Sequence, residues 1–238
     1  MKQTIHMTGA TGLIGSRFVE MFSDKYEVVN MDLTTGVDIT NVATFKPFFD
    51  AHPDAKVLIH LAAFTDTARA NAESGDKGGI CYKENVEGTK NNADFCHERG
   101  IHLINVSTDF VFDGKQTTSY LEVSPLCPID WYGTTKAMAE EVVKASDCSY
   151  TILRLSYPYR AHYDLKPDLI KKILTGLKDN TLTPQFSDTI ITPTFVDDLA
   201  RAFDKCITLR PQGIYHTVGS TALSPYALAQ KVALTYDL

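Results

Sequence analysis

A glycine-spaced turn between two apolar runs constrains the fold of this chain more than any other feature. Lys2 to Met7 suits a first strand, and T-G-A-T-G-L-I-G follows over Thr8 to Gly15. A helical pattern then runs from Leu13 to about Phe22, ahead of a second apolar run from Tyr26 to Met31. Glycines at 9, 12 and 15 permit a tight strand-to-helix turn and close packing of helix on strand. Further β-rich runs fall at 56–61, 101–107 and 150–155, with helical patterns near 41–51, 79–99 and 131–146. Strands that alternate with helices at this spacing imply a parallel sheet with helices on both faces and right-handed crossovers. The fold class is therefore α/β, a Rossmann-type doubly wound sheet.

The pattern changes after Leu155. Residues 158–193 carry Pro158, Pro167, Pro184 and Pro193, with one helical stretch near 167–178. The chain then returns through a helix at 195–207 and a strand from Gly213 to Val218, and Ser224-Pro225 supplies an N-cap and a first helical residue. This divides the chain into a Rossmann domain, 1–157 with 194–219, and a small discontinuous C-terminal lobe, 158–193 with 220–238.

Composition narrows the function. With 44% hydrophobic and 22% charged residues, the 238-residue chain can bury a sizeable core as one unit. A net charge of −6 argues against a nucleic-acid surface. The cysteines at 81, 96, 127, 148 and 206 lack C-x-x-C spacing and read as free thiols of a reducing cytoplasm. No His/Cys/Asp grouping has metal-ligand spacing, so no metal is expected. No signal peptide precedes the first strand and no apolar run is long enough to span a bilayer, so no membrane partner is expected.

The glycine turn is also a ligand site. Thr11, Gly12, Leu13, Ile14 and Gly15 lead into the helix, whose N-terminal amides and dipole suit the diphosphate of a dinucleotide, with Gly9 beginning the turn. Asp32 ends the second apolar run, where a carboxylate accepts from adenosine ribose hydroxyls and repels a 2′-phosphate; NAD(H) is favoured over NADP(H). Leu61, Ala62 and Ala63 end the third run and are small enough for the backbone to approach that cofactor. Thr108 ends the apolar run of N-V-S-T-D-F-V-F-D-G, and Tyr132 and Lys136 follow four residues apart in W-Y-G-T-T-K. That spacing puts a phenol and an ammonium on one helical face, where the ammonium should lower the phenol's pKa. Tyr132 is then the proton-transfer group at a carbonyl oxygen, Thr108 holds that oxygen, and Lys136 tunes the phenol. Asp109 and Phe110 follow Thr108 and should line the substrate side.

These motifs resemble the extended branch of the short-chain dehydrogenase/reductase superfamily, and within it the dTDP-4-dehydrorhamnose reductase family. S-T-D-F-V-F-D-G is similar to that family's S-T-D-Y-V-F-D-G, and Y-G-T-T-K-A-M-A-E to its Y-G-x-T/S-K-x-x-G-E. The resemblance extends over L-A-A-F-T at 61–65, E-N-V-E-G-T at 84–89, L-R-L-S-Y at 153–157 and T-P-T-F at 192–195. It implies NAD(P)H-dependent reduction of the 4-keto group of a nucleotide-activated deoxysugar. It further implies that Asp38 and Ile39 cradle the adenine, Lys136 bonds the nicotinamide ribose, and Asn85 steadies the catalytic region. Sugar contacts are implied at Thr65, Asp109, Phe110 and Tyr157. Two of these depart from the family, which usually has Tyr at Phe110 and often Trp at Tyr157. The family's V-D-K-A-E segment is replaced by D-T-A-R-A-N-A-E at 66–73, so its metal or subunit contacts do not carry over; a homodimer stays open. Family members usually continue for some tens of residues beyond the last helix, so a shortened lobe is expected. The alternatives are an epimerase or dehydratase of the same branch and a non-catalytic dinucleotide-binding regulatory subunit.

Overall fold

A computed structural model describes residues 1–238. The strands are β1 (Gln3–Thr8), β2 (Tyr26–Asn30), β3 (Val57–His60), β4 (His102–Thr108), β5 (Tyr150–Leu155), β6 (Pro158–Tyr159), β7 (Thr194–Phe195) and β8 (Gly213–His216). The helices of the first half are α1 (Gly15–Phe22), α2 (Val42–Ala51), α3 (Thr67–Ala72), α4 (Ile80–Tyr82) and α5 (Thr89–Arg99). Those of the second half are α6 (Trp131–Ala145), α7 (Leu169–Lys178), α8 (Val196–Leu209) and α9 (Pro225–Thr235).

Six strands form one parallel sheet in the order β2-β1-β3-β4-β5-β8. From β1 the chain steps to β2 on one side and then crosses to β3 on the other. The crevice of this doubly wound sheet therefore opens at the carboxyl ends of β1 and β3. All four residues of β3 are buried, and β4 is buried but for Val106, as a strand covered on both faces requires. One apolar layer joins Ile5, Met7, Ile59 and Leu153 to Phe18 of α1 and Phe203 of α8. The opposite layer joins Leu58, Leu103 and Ile152 to Phe45, Phe49 and Phe95 of α2 and α5.

Local chemistry sets the ends of the elements. Asp130 caps α6 by accepting from the Gly133 amide at 2.6 Å, and Ser224 caps α9 by accepting from Ala227 at 3.1 Å. Gly100 ends α5 in the left-handed conformation. The helix expected over 79–99 is not regular: α4 passes through a π turn at Lys83–Gly88 before α5 begins. α3 is absent from the sequence reading because it buries only Ala70 and so has no apolar stripe; the Asp66 carboxylate caps it.

Outside the sheet, β6 pairs with β7. α7 and α9 pack together around Ile173, Ile191, Leu228 and Val232, a cluster separate from the two sheet layers. No helix is long and apolar enough to cross a membrane.

Candidate active site

The glycine turn sits at the mouth of the crevice with no room for side chains. Gly9 has φ +72°, and a Cβ there would lie 2.8 Å from the Ala62 nitrogen and 2.9 Å from the Leu61 carbonyl carbon. A Cβ on Gly15 would meet the Gly9 carbonyl oxygen at 2.2 Å. Leu61 and Ala62 thus pack against the turn, with Ala62 N–H donating to Thr8 Oγ1 at 3.2 Å, and Ala63 follows them. Leu13 and Ile14 lead into α1, whose N-terminus no side chain caps. A bare backbone cradle opening on a helix N-terminus fits a dinucleotide diphosphate.

Asp32 lies at this turn in an unexpected role. Its carboxylate accepts from the amides of Gly9, Ala10 and Thr11 and from the Thr11 hydroxyl, at 3.1 Å for Ala10, 2.9 Å for the Thr11 amide and 2.8 Å for the hydroxyl. The sequence places Asp32 at a strand end facing ribose hydroxyls; the fold engages that carboxylate in clamping the turn. Asp38 accepts from Thr40 N–H at 2.8 Å and from its hydroxyl at 2.7 Å, while Ile39 packs against Gly88, whose Cβ would come within 2.7 Å of it.

Along the crevice, Thr108 ends β4. Its hydroxyl accepts from the Phe110 amide at 3.2 Å and donates to the Asp109 carboxylate at 3.1 Å. α6 packs hard on the turn after β4: a Cβ on Gly133 would lie 2.2 Å from the Phe110 carbonyl oxygen. This brings the Tyr132 ring edge-on to Phe110 at 5.6 Å, and the Tyr157 ring lies tilted 5.9 Å from Phe110. Tyr157 adopts φ +40°, a conformation that a bulky residue holds only when its surroundings impose it. Thr65 is exposed beyond β3 on the facing side. The structure thus brings Thr108, Asp109, Phe110, Tyr132 and Tyr157 into one cluster.

The electrostatics correct one expectation. Burial raises the Tyr132 phenol's pKa; the Thr108 hydroxyl offsets part of the rise, and the Asp109 and Asp130 carboxylates add to it. Lys136 is not the counterweight the sequence predicts, because its buried ammonium donates to the Val106 carbonyl at 2.7 Å. Burial lowers the pKa of Lys136 to about 8, with Glu140 opposing. The i,i+4 spacing fixes the helical face but not where a four-carbon stem ends. Burial likewise raises the Asp109 carboxyl, against hydrogen bonds from Ser156 and Thr108, and pushes Tyr157 up to about 12.

Supporting residues surround the cluster. Asn85, in the π turn, accepts from Phe64 N–H at 2.9 Å and donates to Phe64 C=O at 3.2 Å and to Thr135 Oγ1 at 3.0 Å. One turn beyond Lys136, Glu140 is fully buried; it receives the Ser107 hydroxyl at 2.6 Å and the Arg154 guanidinium at 2.9 and 2.7 Å. Arg154 ties β5 to α6 beneath the site, a role signalled only by a charge inside the apolar run T-I-L-R-L. No group of three or more His, Cys, Asp or Glu side chains is placed to hold a metal ion.

The family model described as RmlD substrate binding domain matches residues 2–237. The dTDP-4-dehydrorhamnose reductase of Aggregatibacter actinomycetemcomitans is 29% identical, over 95% of this chain and 80% of that protein. The spore coat polysaccharide biosynthesis protein SpsK of Bacillus subtilis is 30% identical, over 95% of this chain and 77% of its own length. The crystal structure of dTDP-4-dehydrorhamnose reductase from Bacillus anthracis in complex with NADP superposes with a TM-score of 0.90 at 28% identity, covering 100% of this chain and 82% of that one.

Proposed function

We propose, from the premise that this chain belongs to the RmlD substrate binding domain family, that it reduces the 4-keto group of a dTDP-activated deoxysugar with a nicotinamide dinucleotide. The observation that carries this reading is the convergence of Thr108, Asp109 and Tyr132 beside a bare glycine cradle on the same crevice. When bound there, the dinucleotide supplies the hydride.

The chain's own residues supply the rest. The amides at the start of α1 bind the diphosphate, and Leu61–Ala63 let the backbone approach the dinucleotide. Asp38 and Ile39 flank the adenine side. Tyr132, held protonated by burial and by Asp109 and Asp130, donates its proton to the carbonyl oxygen as that oxygen gains charge. Thr108 positions the same oxygen. The Lys136 ammonium, on the same face of α6 as Tyr132 and anchored on the Val106 carbonyl by one of its three donors, bonds the nicotinamide ribose with another. Asp109, Phe110, Tyr157 and Thr65 border the sugar; residues 158–193 and 220–238 form the lobe that covers it. Asp32, by its negative charge at the turn, makes NADH the preferred reductant. The five unpaired cysteines fit a reducing cytoplasm.

The test supplies a dTDP-4-keto-6-deoxyhexose with NADH or NADPH and follows cofactor absorbance and sugar product together. One cofactor oxidised per sugar reduced supports the proposal. Sugar conversion without net oxidation would replace it with an epimerase or dehydratase, and dinucleotide binding without any conversion would replace it with a regulatory subunit.

A further inference from the structure

Residues 160–166, part of the link between β6 and α7, cross the crevice at its switch point. Three anchors hold them. The buried Arg160 guanidinium donates to the Leu13 carbonyl at 3.2 Å, to Ser16 Oγ at 2.9 Å and to both Glu20 carboxylate oxygens at 3.0 and 3.1 Å. The Tyr163 hydroxyl donates to the Thr11 carbonyl at 3.3 Å, under a cation–π contact from Arg160. The Lys166 ammonium reaches the Thr65 hydroxyl at 3.0 Å. Thr11 follows β1 and Thr65 follows β3, so the segment joins the two lips between which a doubly wound sheet seats its ligand.

Charge singles out one residue of the segment. Arg160 is paired with Glu20, and Arg17 of α1 with Asp197 and Glu20. Lys171 is committed to the Tyr163 carbonyl at 2.7 Å. Lys166 forms no ion pair, and its ammonium hydrogen-bonds a neutral hydroxyl. Meanwhile Asp32 has taken the amides of Gly9, Ala10 and Thr11, so these donors are not free for a diphosphate. A doubly charged ligand there calls for a cation, and Arg17 and Arg160 are already paired with carboxylates.

We propose that residues 160–166 are a strap over the dinucleotide, and that Lys166 exchanges Thr65 for the diphosphate when the cofactor is bound. This rests on the reductase reading above. The strap must unlatch for cofactor to leave, so Lys166 and Tyr163 set the release rate. The nucleotide sugar carries a diphosphate too; the Tyr163 latch on the glycine turn favours the dinucleotide as the occupant.

The experiment measures NADH release by stopped-flow fluorescence, and separately dTDP affinity by calorimetry, in the unaltered chain and in Lys166→Met, Lys166→Arg and Tyr163→Phe. Lys166 is exposed, so folding is not at issue. Losing one charge-assisted bond should speed release in Lys166→Met about tenfold. The same variant should flatten the salt dependence of NADH affinity, a readout that a packing role would not move. Lys166→Arg should restore both, Tyr163→Phe should speed release to a lesser degree, and dTDP affinity should not change. Unchanged NADH release in Lys166→Met would overturn the strap alone. A loss confined to dTDP would overturn it in favour of a substrate contact. No NADH or NADPH binding by the unaltered chain would overturn the reductase reading and the strap with it.

Discussion

Lowering the pH from 7 to 5 should cost this protein much of its stability, and three buried histidines set the size of the loss. His6, His60 and His102 lie on β1, β3 and β4 and are at most 3% exposed. Burial is the main cause keeping each ring neutral, with smaller pushes from His52, Lys136 and Arg210 respectively. The ring pKa falls from 6.5 to about 4 for His6 and His102 and to about 3 for His60. His60 and His102 each bridge two hydroxyls, Thr8 with Thr89 and Ser149 with Thr151. His6 bridges nothing: both ring nitrogens lack partners, and the ring packs on Phe49 at 4.3 Å. Because the folded values lie below the unfolded one, this contribution is full above pH 6.5 and drains away as the pH falls from 6.5 towards 4. Integrating the proton difference to pH 5 gives about 2 kcal/mol per histidine and ~6 kcal/mol for the three, comparable to the ~5–15 kcal/mol by which domains are stable. Urea melts at the two pH values measure it. His6→Phe keeps the ring against Phe49 and removes two unpaired nitrogens. It should add about 1–2 kcal/mol at pH 7 and shrink the acid loss by about 2 kcal/mol. An acid loss equal in the variant and the parent would refute the assignment of His6 as a buried neutral ring.

Tyr132→Phe should leave dinucleotide affinity nearly intact and lower turnover by ~10²–10⁴-fold; near-normal steady-state rates would remove Tyr132 from the chemistry. Glu140→Gln should strand the buried Arg154 charge and destabilise by about 3–5 kcal/mol in denaturant melts, whereas the paired change Glu140→Leu with Arg154→Met should recover most of that loss. NADH should bind more tightly than NADPH in fluorescence titrations because Asp32 holds a negative charge at the turn; tighter NADPH binding would show that a neighbouring cation outweighs it.

The fold was largely legible because its signals are local. The glycine turn at 9–15, the Asp130 and Ser224 caps and the Gly100 stop each depend on residues within a few positions of one another, and the strands buried on both faces appear as continuous apolar runs. Motif positions likewise brought Thr108, Asp109, Phe110 and Tyr132 to one strand end and one helix start. α3 escaped because a short polar helix held by a cap leaves no periodicity.

What sequence determined by itself was which chemical groups stand on which face and end of which element. Where long side chains finish, and what they meet, was decided only by the tertiary structure. Lys136 ends on the Val106 carbonyl rather than on the phenol, Asp32 folds back onto the Gly9–Thr11 amides, and Arg154 finds Glu140. Lys166 reaches Thr65 across 101 positions of chain. The physical reason is the same in each case. A backbone pattern is set by neighbours a few residues away, but a charged side chain settles wherever the folded structure offers partners for it, and those partners come from segments that sequence order keeps apart.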